Sequence, residues 1–273
     1  KQLFFHKIGG FALSQTSPII IYVYTTLTVV ALYGNYMLIV MGVQTLMTAM
    51  FNSMNAGIGN LVAEGDKRKI MSVFAELFSI RFLFSCIMCF GVLMITPAFV
   101  SFWIGKKYVM DSLSLLLMTA ILFVNLSRTT VDAYINAYGL FGDIWAPIVE
   151  ASLNVGLSII LGYYFGLHGV LSGVLISLLL VVFCWKPYYL FRKGLDERLS
   201  IYIFMYARHL MAALLCGVIV CLGMRYSMVQ GDTTFFDGLL GILVFSILST
   251  LTLLCVAPGM RNLMRRFIRM CHV

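Results

Sequence analysis

The chain has 273 residues, 61% of them hydrophobic and 11% charged, with a net charge of +8 and a mean hydropathy of +0.97. A soluble domain carries about 25% charged residues, so there is too little polar material here for a water-facing exterior, and lipid is the natural solvent. The basic balance then reads as loop charge meeting phospholipid headgroups, not as a nucleic-acid surface, and no nucleic-acid partner is expected.

The chain opens on Lys1 without the charged, apolar and small-residue regions of a signal peptide. The reading is that an N-terminal part has been removed or left out, or that the sequence is a fragment. A spanning helix needs about 20 mostly apolar residues. Eight stretches meet this: 11–32, 36–60, 73–96, 112–138, 145–165, 169–191, 205–225 and 238–257. The breaks between them carry turn chemistry: Tyr33-Gly34-Asn35, Glu64-Gly65-Asp66, Pro97 onward, Gly139 to Gly142, Gly166 to Gly169, Gly194 to Asp196, and Gly231-Asp232. The expected fold is an all-α, polytopic membrane helical bundle of about eight transmembrane helices.

Charge placement gives an orientation. One side of the expected membrane holds Lys1, Lys7, Lys67, Arg68, Lys69, Arg192, Lys193, Arg198, Arg208, Arg261, Arg265, Arg266 and Arg269; the other holds only Lys106, Lys107 and Arg225. Arg81, Arg128 and Lys186 fall within or near spans. The positive-inside rule puts both ends in the cytoplasm. In the tail, Arg261, Arg265 and Arg269 recur every four residues while Leu263, Phe267 and Met270 point elsewhere, the pattern of a basic amphipathic helix on the inner leaflet.

Six of the seven cysteines lie inside apolar runs, and the C-x-x-C pair Cys86 and Cys89 reads as lipid-embedded packing. Intramembrane polar residues usually face a bundle interior or a water-filled cavity. Asn125, Arg128, Asp132 and Asn136 share one face of the fourth span, with Arg128 and Asp132 as an i,i+4 pair. Gln44, Thr48, Asn52 and Asn55 share a face of the second, and Glu150, Asn154 and Ser158 a face of the fifth. The first carries Ser14, Gln15, Thr16 and Ser17 before Pro18. Polar glue between helices needs fewer such residues, so a shared aqueous cavity is the economical reading. The glycines Gly162, Gly166, Gly169 and Gly173 bracket the turn between spans five and six, as close packing of a hairpin requires. The four histidines have no metal-ligand spacing to a carboxylate or cysteine, and no phosphate-cradling Gly-Lys-Ser loop is present. Transport is favoured over enzyme chemistry.

Several blocks carry a resemblance: Phe5-His6-Lys7-Ile8-Gly9, Leu32-Tyr33-Gly34-Asn35-Tyr36, Phe51-Asn52-Ser53, Gly59-Asn60-Leu61-Val62, Phe102-Trp103-Ile104-Gly105-Lys106, Ala137-Tyr138-Gly139-Leu140-Phe141 with Asp143, Pro147-Ile148-Val149-Glu150-Ala151 with Asn154, and Lys186-Pro187-Tyr188. In order and spacing they resemble the second half of the bacterial polysaccharide transporter (Wzx-like) family, of the multidrug/oligosaccharidyl-lipid/polysaccharide flippase superfamily. The resemblance implies two six-helix lobes around a central cavity. It implies alternating access that moves an undecaprenyl-pyrophosphate-linked oligosaccharide to the outer leaflet of the bacterial inner membrane, for O-antigen, capsule or exopolysaccharide biosynthesis. Residues 1–192 would be the C-terminal lobe, 193–258 two additional transmembrane helices, and 259–273 a basic cytoplasmic tail. The N-terminal lobe would be a missing partner, alongside the lipid-linked oligosaccharide, the phospholipid bilayer, and a polysaccharide polymerase and glycosyltransferases.

Arg128 falls where relatives often have a basic residue, which suits an anionic pyrophosphate. Thr16-Ser17-Pro18 stands where many relatives carry an Asp-Asn pair, a departure that weakens any cation role there. No cofactor is implied, and proton or sodium coupling stays open. The expected cavity lining is Arg128, Asp132, Asn125, Asn136, Glu150, Asn154, Gln44, Asn52 and Asn55. A drug or cation antiporter of the same superfamily is the alternative. A membrane-embedded glycosyltransferase or polymerase is disfavoured, because the longest outer connection, about Tyr226 to Asp237, carries only Asp232 and Asp237.

Overall fold

The computed structural model describes residues 16–143, 145–228 and 235–271, and every long element among them is helical. The expected outer break at Gly231-Asp232 lies outside the described residues. The helices are α1 (16–24), α2 (Leu27–Glu64), α3 (Lys67–Trp103), α4 (Ser112–Ser127), α5 (Thr129–Ala137), α6 (145–165), α7 (167–195), α8 (Leu199–Met228), α9 (Phe235–Val256) and α10 (Pro258–Cys271). Among the described residues six helical stretches are long and apolar enough to cross a membrane, and one of these, Trp145–Leu195, is the pair α6 and α7. The all-α, polytopic bundle is thus the observed architecture.

Two boundaries differ from the sequence reading. The first break falls at Thr25-Thr26, not at Tyr33-Gly34-Asn35, which lie inside α2. Thr26 has extended backbone at the N-cap, and its carbonyl accepts the Val29 and Val30 N–H groups. Gly34 costs a helix about 1 kcal/mol relative to Ala, but its neighbours are anchored: Tyr33 hydrogen-bonds Ser17 on α1, and the Tyr36 hydroxyl accepts the Met110 N–H at 2.9 Å. Tertiary contact outweighs the local signal. The second difference is Pro97, which sits inside α3; the helix runs on to Trp103. An internal proline forfeits one backbone bond, a loss that membrane helices tolerate.

The remaining turns stand where expected. Gly65 ends α2 with φ 76°, a conformation glycine adopts without penalty, and the Asp66 carboxylate then accepts the Arg68 and Lys69 N–H groups to cap α3. Between α6 and α7 the chain reverses at Gly166 (φ 56°, ψ −130°). The legs then run antiparallel: a Cβ on Gly169 would meet the Leu161 carbonyl and one on Gly173 would meet Ser158, while Asn154 donates to Ser177 at 3.3 Å. Trp145 and Trp185 close the far end with ring centroids 4.5 Å apart.

α3 is the central post, packed on α2, α4, α5, α8, α9 and α10. Its Phe74, Phe78 and Phe82 recur every four residues and stack edge-on with Tyr134, Phe191, Tyr202 and Tyr206. The helices α8 and α9 share this core. His209 on α8 is fully buried and bonds Ser79 on α3 at 2.9 Å, and Phe245 on α9 stacks on Phe90 at 4.3 Å. Cys86 and Cys89 are buried in different parts of the core, as packing residues. Among the described residues α10 does form the expected tail helix. It docks by Gly259 against the Ala75 carbonyl and by an Arg266–Glu76 ion pair at 3.3 Å, and it leaves Phe267 and Ile268 exposed.

Each end of the bundle has a cross-link. At one, Lys67 pairs with Asp196 at 2.8 Å; at the other, His168 meets Asp111 at 2.8 Å. Burial opposes ionisation of Asp111, but hydrogen bonds from His168 and the Ser114 N–H outweigh it and hold the carboxyl down at about 2. A depressed carboxyl stabilises the fold fully above its ordinary value near pH 4, and loses that contribution as pH falls toward about 2. The pair is half exposed, so its strength is below about 1 kcal/mol. Asp111→Asn keeps the cap on α4 and should lower the melting temperature in detergent only slightly. Asp111→Ala loses cap and pair together and should cost about 1 kcal/mol more. Below about pH 2 the gap between wild type and Asp111→Asn should close.

Candidate functional site

A polar cleft of about 420 Å³ lies between α2, α3 and the α4–α5 junction. Gln44, Thr48, Asn52 and Asn55 enter it from α2, Asn125 from α4, and Arg128, Asp132 and Asn136 from the junction and α5. Seven of the nine expected lining residues therefore meet in one place. The stripe on α2 is legible at i, i+4 spacing, and it survives because Met47, Phe51 and Ile58 on the neighbouring face bury themselves against α3 and α5.

The charged centre is built on Asp132. Its Oδ2 is 3.3 Å from Arg128 Nε, and its Oδ1 accepts Lys186 Nζ at 3.2 Å. Arg128 sits between two short helices (φ −72°, ψ −16°), where the junction keeps both backbone bonds, Arg128 N to Val124 O and Asp132 N to Arg128 O. These side chains are 20–30% exposed; Arg128 and Asp132 line the cleft, and Lys186 pairs with Asp132 from outside the lining. Polar neighbours are partly spent on their own helices: Asn125 donates to the Ile121 carbonyl at 3.0 Å and Thr48 to the Gln44 carbonyl at 2.8 Å.

Arg81 on α3 forms the floor. It is 2% exposed, and donates to the Thr129 carbonyl at 3.0 Å, to Asn55 Oδ1 at 3.1 Å and to the Phe51 carbonyl at 3.4 Å. One buried guanidinium thus ties α2, α3 and α5 together, and its Nε has no acceptor among the described residues. Arg81 and Lys186 are the functional candidates that the stripe argument missed. Each is a single basic residue in an otherwise apolar span, so no periodicity points to it; its presence in a span was the available signal.

Glu150 and Asn154 do not line the cleft, and this corrects the expected lining. Both are buried, at 6% and 3% exposure, because α6 turns that face onto α7. Asn154 is a strut of the hairpin through Ser177, as Ser158 is through the Val170 carbonyl at 3.3 Å. Glu150 remains within electrostatic reach of Arg128, Lys186 and Asp132. The cleft lining therefore sets Arg81 and Arg128 against Asp132, with Lys186 and Glu150 outside it, and the excess of positive charge favours an anion. Of the first-span stripe, Ser14 and Gln15 lie outside the described residues, and Ser17 is spent on Tyr33.

The α2 wall has a further property. Thr48, Asn52, Ser53, Asn55 and Asn60 are exposed along a helix of membrane-spanning length, so the cleft opens on a polar face. No protein-family model, curated protein or solved structure matches the chain.

Proposed function

We propose that this chain is the second lobe of a flippase for lipid-linked oligosaccharides in a bacterial inner membrane. The observation that carries the reading is the basic cleft, lined by Arg128 and Asp132 over a floor of Arg81, with Lys186 holding the second oxygen of Asp132 from outside the lining. A pyrophosphate-linked sugar presents an anion to such cations and hydroxyls to the surrounding asparagines. Lipid is a poor neighbour for the exposed asparagines of α2, so a second helical body facing α2 is the natural partner, and the resemblance supplies one in the missing lobe. The thirteen basic residues that the sequence assigns to one side would orient that side, with both chain ends, toward the cytoplasm. Glycosyltransferases and a polymerase would act before and after the flip. An antiporter for cationic drugs fits less well, since the cleft's acid, Asp132, has both oxygens held by cations.

The test is to delete the gene for the full-length protein. The expected result is lipid-linked oligosaccharide accumulating where an externally added lectin cannot reach it, with unchanged sensitivity to cationic drugs. Normal surface glycan combined with altered drug sensitivity would replace this reading by the antiporter.

A further inference from the structure

Arg208 lies far along the sequence from the cleft and is not used by it. It stands on α8 in a cavity of about 500 Å³, bounded by Ile201, Phe204 and Met205 of α8, Ala75 of α3, and Pro258 and Gly259 of α10. Its guanidinium lies over the Phe204 ring, 5.9 Å from the centroid, and its buried Nε–H has no acceptor among the described residues. Arg261, on the first turn of α10, is within electrostatic reach of it. Neither arginine has a carboxylate partner among the described residues, whereas Arg266, one turn further on, is taken by Glu76. Among the described residues Arg208 thus has a like charge and no carboxylate in its electrostatic surroundings.

The walls say what completes the pair. Ile201 and Phe204 are exposed by 43% and 70%, and α8 continues with exposed Met211 and Leu215, an apolar track of membrane-spanning length. α10 is basic on one side and leaves Met264, Phe267 and Ile268 uncovered on the other, the form of a helix lying at a headgroup boundary. A largely apolar cavity at that level, with the single charged lining residue Arg208 and an apolar track below it, fits a molecule that has an anionic phosphate on an acyl chain. We infer that Arg208 and Arg261 form a binding site for one anionic phospholipid, its phosphate bridging the two guanidinium groups and one chain lying over Ile201 and Phe204. Basic pockets between membrane helices bind anionic headgroups by this chemistry. The bound lipid would neutralise the repulsion between the two arginines and fix α10 against α8.

Native mass spectrometry of the full-length protein, released from detergent with equal phosphatidylglycerol and phosphatidylcholine, tests this. One phosphatidylglycerol should be retained in preference to phosphatidylcholine, and inorganic phosphate in excess should not displace it. Arg208→Gln with Arg261→Gln should lower that preference roughly tenfold, each basic residue contributing a factor of a few. Arg265→Gln with Arg269→Gln should leave it unchanged. Equal retention of the two lipids by the wild type would overturn the proposal, a result that needs no variant to fold. So would displacement by phosphate alone, or equal loss in the two double variants, which would mean diffuse attraction to the tail.

Discussion

Arg128→Ala in the full-length protein should abolish detectable surface-glycan export while the protein stays in the membrane at close to its normal level. The two halves of that result rest on different contacts. Arg128 occupies one oxygen of Asp132 and Lys186 the other, so removing Arg128 leaves the carboxylate with a counterion. The lost pair is about 30% exposed and short in sequence, worth about 0.5 kcal/mol to the fold. For an anionic substrate the loss is larger, because a hydrogen bond to a charged group contributes about 1.5–3 kcal/mol, or roughly tenfold to a hundredfold in binding. Asp132→Ala should behave in the opposite way. It removes the carboxylate that pairs directly with Arg128 and Lys186 and leaves them only the electrostatic reach of Glu150, so the melting temperature in detergent should fall with the membrane level. Adding Lys186→Met should restore much of that stability without restoring export. Quantitative blotting of the membrane fraction beside surface-glycan staining reads both. Normal export by the Arg128→Ala protein would remove Arg128 from the mechanism.

Much of this site was legible before any coordinates. The i, i+4 stripes on α2 and on α4–α5 identify faces, and two polar faces in lipid must seek each other or water. Stripes do not say which of three faces pair, however. Glu150 and Asn154 have the same spacing as Asn125 and its companions, and they face α7 because the small residues beside them, Gly162 and Ser158, let that leg approach closely. Lys186 was hidden for a different reason. Residues Leu179–Trp185 form wide π-type turns, and the Lys186 N–H bonds the Val181 carbonyl five residues back. Each such turn adds about one residue to the helical repeat, so a phase counted from Gly169 no longer holds at Lys186. The first break shows the limit of turn chemistry. Tyr33-Gly34-Asn35 is the stronger local signal, but the Tyr33 and Tyr36 hydroxyls find partners only if the helix continues through it. Thr26, a good N-cap residue before an apolar run, was the cue available.

The hairpin that delivers Lys186 to Asp132 depends on close backbone approaches at Gly169 and Gly173, and Gly169→Ala should destabilise the protein more than any exposed substitution. A Cβ at Gly169 would overlap the Leu161 carbonyl oxygen and carbon. Both are backbone atoms, so no rotamer relieves the clash and the two legs must separate. Overpacking of this kind costs about 1–3 kcal/mol, and separation also threatens the bonds from Ser158 to the Val170 carbonyl and from Asn154 to Ser177. Gly156→Ala on the facing leg is the control. Nothing lies within 4 Å of its added methyl, and it should be neutral or raise stability by about 0.5–1 kcal/mol, the helix penalty of glycine. Thermal unfolding followed by size-exclusion fluorescence would separate the two. If Gly169→Ala melts with the wild type, the legs do not touch there, and the placement of Lys186 beside Asp132 loses its support. If it melts early, glycan export should fall further than Lys186→Ala alone lowers it, because a splayed hairpin withdraws Lys186 from Asp132 and moves Glu150 away from the same cluster.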